Sequence, residues 1–344
     1  MHLSDFDYEL PPDLIAQTPL DERDASRMMV LDRREQTWTD SSFKHFTTYL
    51  QPNDVVVVNN SRVIPARLTG QRAETGGHVE IFLVRELHNN VWEVLMRPGA
   101  RLKQGARVVF GEGKLIAQVL DPPGVEIRRV RFYCKGSFHE VLAEVGSTPL
   151  PPYIKRPTGV SEEDRERYQT IYSKQQGAIA APTAGLHFTK EVLAEVASAA
   201  SLAEVSLHVG YGTFEPVRVD DVVQHSVTGE RFDISESTAQ TINEARANGG
   251  RVIVVGTTTM RALESSATPG GQVVARSGVA TLTIKPGYQF RVADAMLTNF
   301  HLPRSSLLIL VSAFAGLEFV LRAYRHAVAE RYRFYSYGDC MLIL

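Results

Sequence analysis

Residues 177–189 read Gly177-Ala178-Ile179-Ala180-Ala181-Pro182-Thr183-Ala184-Gly185-Leu186-His187-Phe188-Thr189. Ala178 to Ala181 are short and apolar, the pattern of a buried strand end. Pro182 and Gly185 break that run. Thr189 is a good N-cap for a helix from Lys190 to Ala200, and Glu191 falls in the first turn, where the helix dipole favours a negative charge. Strand, small-residue loop, histidine and helix follow one another, the unit of a layered α/β fold. Ala181, Thr183, Ala184 and Gly185 carry little side-chain bulk, so a ligand can approach the backbone closely. An ordinary strand-to-helix turn with a packed histidine has the same spelling, so the loop alone does not separate packing from chemistry.

The same alternation extends on both sides. Arg27 to Leu31 and the β-branched run Val55 to Val58 read as strands, the second as a buried one. A short helix is expected at Asp13 to Gln17, and a polar one from Glu163 to Lys174. Val205 to Val209 reads as a strand ending at His208. Ser235 caps a helix from Glu236 to Asn248, which Gly249-Gly250 closes. Val252 to Val255 is a further buried strand that leads into a helix at Met260 to Ser266. Thr281 to Ile284 and Met296 to Phe300 complete the expected strands. Ser305 or Ser306 caps an apolar helix to Ala315, and a last helix spans about 318–332. Strands alternating with helices give a layered α/β domain.

Between about residues 66 and 135 the texture differs. Short alternating segments are punctuated roughly every ten residues by turn signals such as Gly76-Gly77, Pro98-Gly99 and Asp121-Pro122-Pro123-Gly124. This is the pattern of a small antiparallel barrel or sandwich. The segment holds 12 Lys/Arg against 7 Asp/Glu in a chain whose net charge is -2. It is therefore the natural phosphate-contacting platform, unless its charges merely form a solvated face. The expected organisation is a discontinuous α/β domain, 1–65 and 150–344, with an inserted β-barrel domain at 66–149.

Composition excludes several classes. The 344 residues are 44% hydrophobic and 22% charged, ordinary for a globular chain that buries real cores. Two cysteines, Cys134 and Cys340, allow neither a disulfide framework nor a cysteine-rich zinc site and suit a reducing compartment, so a cytoplasmic location is expected. No signal peptide is expected at the N-terminus. The longest apolar run, Leu307 to Ala315, is too short to span a bilayer. The chain contains no G-x-G-x-x-G, Walker loop, H-E-x-x-H, paired C-x-x-C or G-x-S-x-G. Nicotinamide chemistry, nucleotide hydrolysis, zinc proteolysis and ordinary serine hydrolysis are disfavoured.

What remains is a recurring strand-end design. Four strands end in small or polar residues: Thr183 to His187, His208 to Thr213, Gly256 to Thr258, and Asn299 to His301. Ligands of open α/β sheets bind beyond the carboxyl ends of strands. His187, His208 and His301 are placed to converge there, with His225 and Glu230 in the loop after the His208 strand. Imidazole moves protons near neutral pH, whereas the spacing is not diagnostic for a metal and none is expected.

On these and further stretches the chain resembles the S-adenosylmethionine:tRNA ribosyltransferase-isomerase family of queuosine biosynthesis. The stretches include Asp5 to Pro11, Arg23-Asp24 with Ser26-Arg27, Val58 to Arg67, Pro149 to Ile154, Arg167 to Thr170, Ala180 to Thr189, His208 to Gly210, Gly212 to Phe214, Val255 to Thr258, Pro286 to Tyr288, Thr298 to Pro303 and Ser336 to Asp339. The resemblance implies an α/β domain interrupted by a β-barrel. It also implies transfer and isomerisation of the ribosyl part of S-adenosylmethionine onto 7-aminomethyl-7-deazaguanine at the wobble position of tRNAs with a GUN anticodon. Adenine and methionine leave and the product is epoxyqueuosine-tRNA. S-adenosylmethionine is then a substrate and no cofactor is expected; nor is a membrane partner, and a monomer is expected. One departure stands out: after His225 the family places a second histidine where this chain has Thr228. Cys340 stands where the family commonly has alanine and is given no catalytic role.

Such a reaction needs a base for an acidic C–H beside a sulfonium, a proton for departing adenine and a pocket for a cation. The candidate acid–base groups are His187, His208 and His301, with Glu230 and Asp339 as alternates. Phe214, Tyr288 and Phe300 are candidates to face the sulfonium or stack on the wobble base; plain core aromatics would look the same. Thr183, Gly185, Gly210, Thr213, Gly256, Thr257, Thr258 and Asn299 offer backbone and small polar groups to adenine, ribose or phosphate. Asn59, Asn60, Arg62 and Arg67 lie where the two domains join and are expected to touch substrate or tRNA. Arg101, Lys103, Arg128, Arg129 and Arg131 are the barrel's candidates for tRNA phosphates. Two rivals remain: a non-catalytic RNA-binding protein of the same fold, and another S-adenosylmethionine-dependent tRNA transferase such as a methyltransferase.

Overall fold

The structure is a computed structural model that describes residues 1–157, 159–214 and 216–344, the side chains of Thr213 and Phe214 lying outside the description. In chain order, β1 (Arg27–Asp32) and β2 (Thr37–Ser42) form a hairpin. β3 (Val55–Asn59) follows, then the short β4 (Ser61–Val63). The next strands are β5 (Arg67–Arg72), β6 (His78–His88), β7 (Val91–Arg97), β8 (Arg107–Phe110), β9 (Leu115–Val119) and β10 (Arg128–Cys134). Helix α1 (Phe138–Val145) and β11 (Gly146–Ser147) lead back. Helix α2 (Glu162–Arg167) and β12 (Gln175–Ala178) precede α3 (Lys190–Ala199), β13 (Ser201–Leu207), β14 (Glu230–Ile234) and α4 (Glu236–Ala247). The chain ends with β15 (Val252–Val255), α5 (Gly256–Ser266), β16 (Arg276–Ala280), β17 (Ala295–Asn299), α6 (Ser306–Ala315), α7 (Leu317–Ala329) and β18 (Cys340–Ile343).

Strands β5 to β10 close into a six-stranded antiparallel barrel, because β5 pairs with both β6 and β8. Its interior is filled by alternate residues such as Leu68, Val79, Ile81, Val94, Phe110, Ala117 and Phe132, each at most 2% exposed. The period-two burial along β8, β9 and β10 is what the alternating sequence demands. The fold expected from sequence, an α/β sheet interrupted by an antiparallel barrel, is the one observed.

The other sheet has nine strands in the order β16-β14-β13-β3-β15-β17-β18-β1-β2. Its centre, β13-β3-β15-β17, is wholly parallel, and β3, β15 and β17 are buried at every residue. Two apolar layers cover its faces, one built on α5, α6 and α7, the other on α3 and the Phe43–Tyr49 turns. At the amino end of β3, Asp54 is fully buried. It receives the Arg251 guanidinium at 2.7 Å and so sets β3 against β15.

Several local expectations change. Asp13 to Gln17 is a single 3-10 turn, Pro12–Leu14. The polar helix runs only over Glu162–Arg167, capped by Ser161 and Asp164. Thr281 to Ile284 is not a strand: the edge strand is β16, whose exposed, weakly apolar residues pair with β14. Ala178 to Ala181 is strand only at its first residue. The tail, for which no strand is expected from sequence, supplies β18, slotted between β17 and β1.

At the carboxyl end of β3, Asn59 is fully buried. Its Oδ1 accepts the N–H groups of Leu207 (3.0 Å) and Ser61 (3.1 Å), while Nδ2 donates to Leu207 O (2.9 Å) and Thr258 Oγ (3.2 Å). Replacing it by Ala leaves buried polar partners unmatched. We expect Asn59→Ala to lower unfolding stability by about 3 kcal/mol, read from denaturant titration with an unchanged slope; a loss below about 1 kcal/mol would show that water or side-chain shifts replace these bonds.

Candidate active site

The four central strands point their carboxyl ends the same way, and β3 is where the chain switches sides, pairing with β13 on one flank and β15 on the other. A cleft lies over this edge, as expected for ligand sites in open sheets. Ala180 to Ala184 form one wall. Gly256, Thr257 and Thr258, the first residues of α5, form another; Thr298, Asn299 and His301 line it from β17, and Tyr153, Tyr168 and Tyr335 add aromatic faces. β15 passes into α5 with no loop, which requires Gly256 at φ +88°. The free N–H groups and positive dipole end of α5 therefore face the cleft.

The cleft has about 60 Å3 of interior space. A second hollow of about 220 Å3 adjoins it, lined by Thr228, Glu230, Arg261, Thr283, Ser306 and apolar residues including Leu282, Ile284 and Leu310. Leu307 and Tyr335 line both and form the wall between them. Tyr335 holds φ at +76°, a conformation uncommon outside glycine that costs of order 1–3 kcal/mol. It persists because Tyr335 N–H donates to Phe300 O and Tyr335 O accepts from Asn299 Nδ2 at 2.8 Å. Its ring meets Tyr153 edge to face, with centroids 3.9 Å apart, and burial pushes its hydroxyl up to about 12.

His301 lies in the cleft wall, 5% exposed, with Nε2 3.0 Å from Thr298 Oγ. Burial drives its imidazolium down to about 3, so the ring is neutral at physiological pH. His187 sits one layer behind. Its Nδ1 bonds Ser26 Oγ (2.9 Å) and its Nε2 bonds Asn299 Oδ1 (3.2 Å), which holds the Asn299 amide in the wall. Burial holds His187 down to about 4, only partly offset by the Asn299 bond, and Arg333 and Arg23 add to the lowering.

The other sequence-derived acid–base candidates are not in the cleft. His208 packs its ring on Gly177, where a Cβ would come within 2.9 Å of Nδ1. It is half-buried, and burial with nearby Arg231 lowers its pKa. Glu230 is committed: Oε2 pairs with Arg261 and Oε1 accepts Gly210 N–H at 2.8 Å, though both charged residues line the second hollow. Asp339 is 2% exposed and accepts the backbone N–H groups of Arg27 (2.9 Å) and Arg333 (2.8 Å), so it fastens the tail to β1; burial raises its pKa.

Of the substrate candidates, Thr183, Gly256, Thr257, Thr258 and Asn299 line the cleft. Asn59 pins the rim from beneath. Asn60 bonds Glu204 and Ser206 and is likewise structural. Gly185 makes room for Tyr172, whose hydroxyl would clash with any added Cβ. Gly210 gives its N–H to Glu230. Tyr288 donates to Glu264 and meets Phe290 edge to face, away from the cleft. Phe300 is wholly buried among Tyr324, Tyr332 and Phe334. The expected contacts of Thr213 and Phe214 fall outside the described side chains.

Arg62 is exposed and bonds Ser173 Oγ at 3.1 Å. Arg67 lies in a groove at the seam between barrel and sheet, not in the cleft. On the barrel, Arg101, Lys103 and Arg131 are exposed. Arg128 is 1% exposed and spends its guanidinium on Gly99 O, Leu102 O and Asp121 O, so it holds the barrel together instead of meeting phosphate. Arg129 is locked to Asp121 at 2.6 Å. Sequence reasoning missed Tyr153, Tyr168 and Tyr335 as site residues. Tyr335 is betrayed only by its backbone angle, which no sequence signal carries. Among the described residues no group of three His, Cys, Asp or Glu stands together to hold a metal ion.

The sequence profile of the family described as queuosine biosynthesis protein matches residues 3–343. The S-adenosylmethionine:tRNA ribosyltransferase-isomerase of Desulforamulus reducens is 49% identical over 345 residues, covering 100% of each chain. The solved S-adenosylmethionine tRNA ribosyltransferase of Thermotoga maritima is 37% identical with a TM-score of 0.56, covering 99% of this chain and 100% of that one. A full-length profile match and near-half identity end to end leave no part of the fold or cleft outside the correspondence: the chain belongs to the queuosine biosynthesis protein family.

Proposed function

We propose that the cleft and its adjoining hollow hold S-adenosylmethionine across the Leu307–Tyr335 wall, with His301 as the proton-handling group. The chain transfers and isomerises the ribosyl part of S-adenosylmethionine onto tRNA in queuosine synthesis, as its family and its named relative do. The observation that carries the site assignment is the convergence of strand ends on one rim with a neutral imidazole in it. Small-molecule sites usually run to about 300–1,000 Å3. Neither hollow reaches that alone, and the substrate spans both once the Tyr335 ring moves aside.

The roles follow from chemistry. A sulfonium is a cation without hydrogen-bond donors, and the faces of Tyr153, Tyr168 and Tyr335 attract it. The N-terminus of α5 favours the substrate's carboxylate. Neutral His301 takes the proton from the carbon beside the sulfonium. The electron pair freed there bonds the anomeric carbon to close a carbon ring. The glycosidic bond opens with its pair leaving on adenine, to which the protonated imidazole returns its proton, while the acceptor's amine nitrogen bonds the anomeric carbon and the ring oxygen leaves it. The C–S bond breaks last, its pair leaving on methionine as that oxygen bonds the carbon beside sulfur to form the epoxide. His187 positions Asn299, and Glu230 with Arg261 shapes the second hollow. The absent second histidine at Thr228 therefore removes no group that this scheme uses.

The acceptor is 7-aminomethyl-7-deazaguanine at the wobble position of tRNAs with a GUN anticodon, and the enzyme works as a monomer with no further cofactor. The catalytic domain comprises 1–65 and 150–344, with the barrel, 66–149, as its inserted partner. Exposed Arg101, Lys103 and Arg131 remain available to phosphates. No single helix among the described residues is long and apolar enough to cross a membrane. Both cysteines are free, which supports a cytoplasmic site of action.

Incubating the protein with S-adenosylmethionine and the modified tRNA, and resolving the products, tests the reading. Free adenine and methionine are expected; S-adenosylhomocysteine would mean a methyltransferase, and no turnover a binding protein. In that assay His301→Gln should cut turnover about 10²–10⁴-fold, while near-normal turnover would remove His301 from the chemistry. For both His187 and His301 the folded pKa lies below the ordinary 6.5, so between about 3–4 and 6.5 the unfolded chain binds more protons. Stability then falls as pH drops below 6.5. The His301→Gln variant should show a flatter fall of melting temperature with acid than the parent, and parallel curves would contradict the assignment.

A further inference from the structure

A hollow larger than either half of the cleft lies outside it. It is a groove of about 720 Å3 between barrel and sheet. Its barrel wall carries Arg67, Phe82 and Arg97; its other wall is the proline-rich return after β11, with Lys155 and Arg156, and Tyr211 beside it. The rings of Phe82 and Tyr211 meet edge to face across the seam, with centroids 6.0 Å apart. Two of its cations are neutralised: Arg67 by Glu80 at 3.5 Å, and Arg156 by Asp164 at 2.7 Å. Arg97 and Lys155 are exposed, and among the described residues neither is paired with a carboxylate. The groove is thus net positive around an aromatic platform, the pairing of features that binds single-stranded nucleic acid without needing a duplex. Tyr153 joins it to the cleft: Pro152 and Ile154 line the groove while Tyr153 between them lines the cleft.

We propose that this groove is the channel for the single-stranded anticodon-loop nucleotides that flank the modified base. Phosphates run past Arg97 and Lys155, a flanking base stacks at Tyr211 and Phe82, and the target base turns past Tyr153 into the cleft. The proposal rests on the tRNA-modifying reading above and adds where the loop lies. A splayed loop base is cheap to present, because it is not held in a duplex stack.

The test measures anisotropy of a labelled anticodon stem-loop RNA with the full-length protein over a range of potassium chloride concentrations. Arg97→Gln with Lys155→Gln should reduce the log–log salt slope by about 1.4, from roughly 0.7 per lost phosphate contact on a single strand. Tyr211→Ala should weaken binding about 5- to 100-fold at fixed salt and leave the slope alone, with Tyr211→Phe restoring affinity. Lys114→Gln, which removes a barrel charge paired with Glu144 outside the groove, should change neither. Calorimetric binding of S-adenosylmethionine and melting temperatures, taken on every variant, report whether cleft and fold are intact. Folded groove variants that bind RNA with parental slope and affinity overturn the channel while leaving the activity standing. Parental protein that binds S-adenosylmethionine but no RNA overturns the tRNA reading itself.

Discussion

The cleft depends on one buried carboxamide. Parallel strands of a twisted sheet diverge at their ends, and β3 takes both neighbours from chain that lies more than 140 residues further on. Asn59 counters the divergence by acting as an additional backbone unit. Its amide offers an acceptor and a donor at fixed spacing, so it takes up the N–H and the C=O of Leu207 together and still reaches Thr258 at the head of α5. A carboxylate lacks the donor and an aliphatic side chain lacks both. Asn299 does the corresponding work at the end of β17, between His187 and the carbonyl of Tyr335. Two asparagines thereby fix both flanks of the rim on which His301 stands.

Much of this was legible in the sequence, and the failures have physical causes. The β-branched runs at Val55 and Val252 could only be buried strands, and turn signals every ten residues marked the barrel. β16 escaped notice because an edge strand open to solvent need not alternate, and β18 because four apolar residues in a row have no period of their own. At the site, Thr183, Gly256, Asn299 and His301 were readable as small or polar residues placed where strands end. Asp339, Phe300 and Tyr288 sit in equally recognisable motifs but serve packing and hydrogen bonding. A motif records that a residue is required, whether by chemistry or by the fold. The reverse error befell Tyr153, Tyr168 and Tyr335, since an aromatic residue reads as core until the backbone shows what it faces.

Burial does more than shape the cleft. By holding the imidazoles of His187 and His301 neutral, it keeps positive charge out of the pocket proposed for a substrate that is itself a cation. The charged groups nearby are matched in place, Glu230 with Arg261, so the pocket presents aromatic faces, hydroxyls and one helix terminus. Binding then costs little reorganisation of solvent or ion pairs, which suits a reaction whose charge shifts from sulfur as the C–S bond opens.

The position of β18 has a consequence for biogenesis. During synthesis the barrel strands emerge together and can pair with near neighbours while the rest of the chain is still being made. The nine-stranded sheet cannot be completed this way: beyond its hairpin with β2, β1 must wait for its second neighbour some 300 residues downstream, and β3 for strands that follow the whole insertion. Local pairings form early and long-range ones late. For most of translation the nascent protein is a finished barrel carrying unpaired sheet edges, and the stage at which chaperones matter most comes just before its final strand is added.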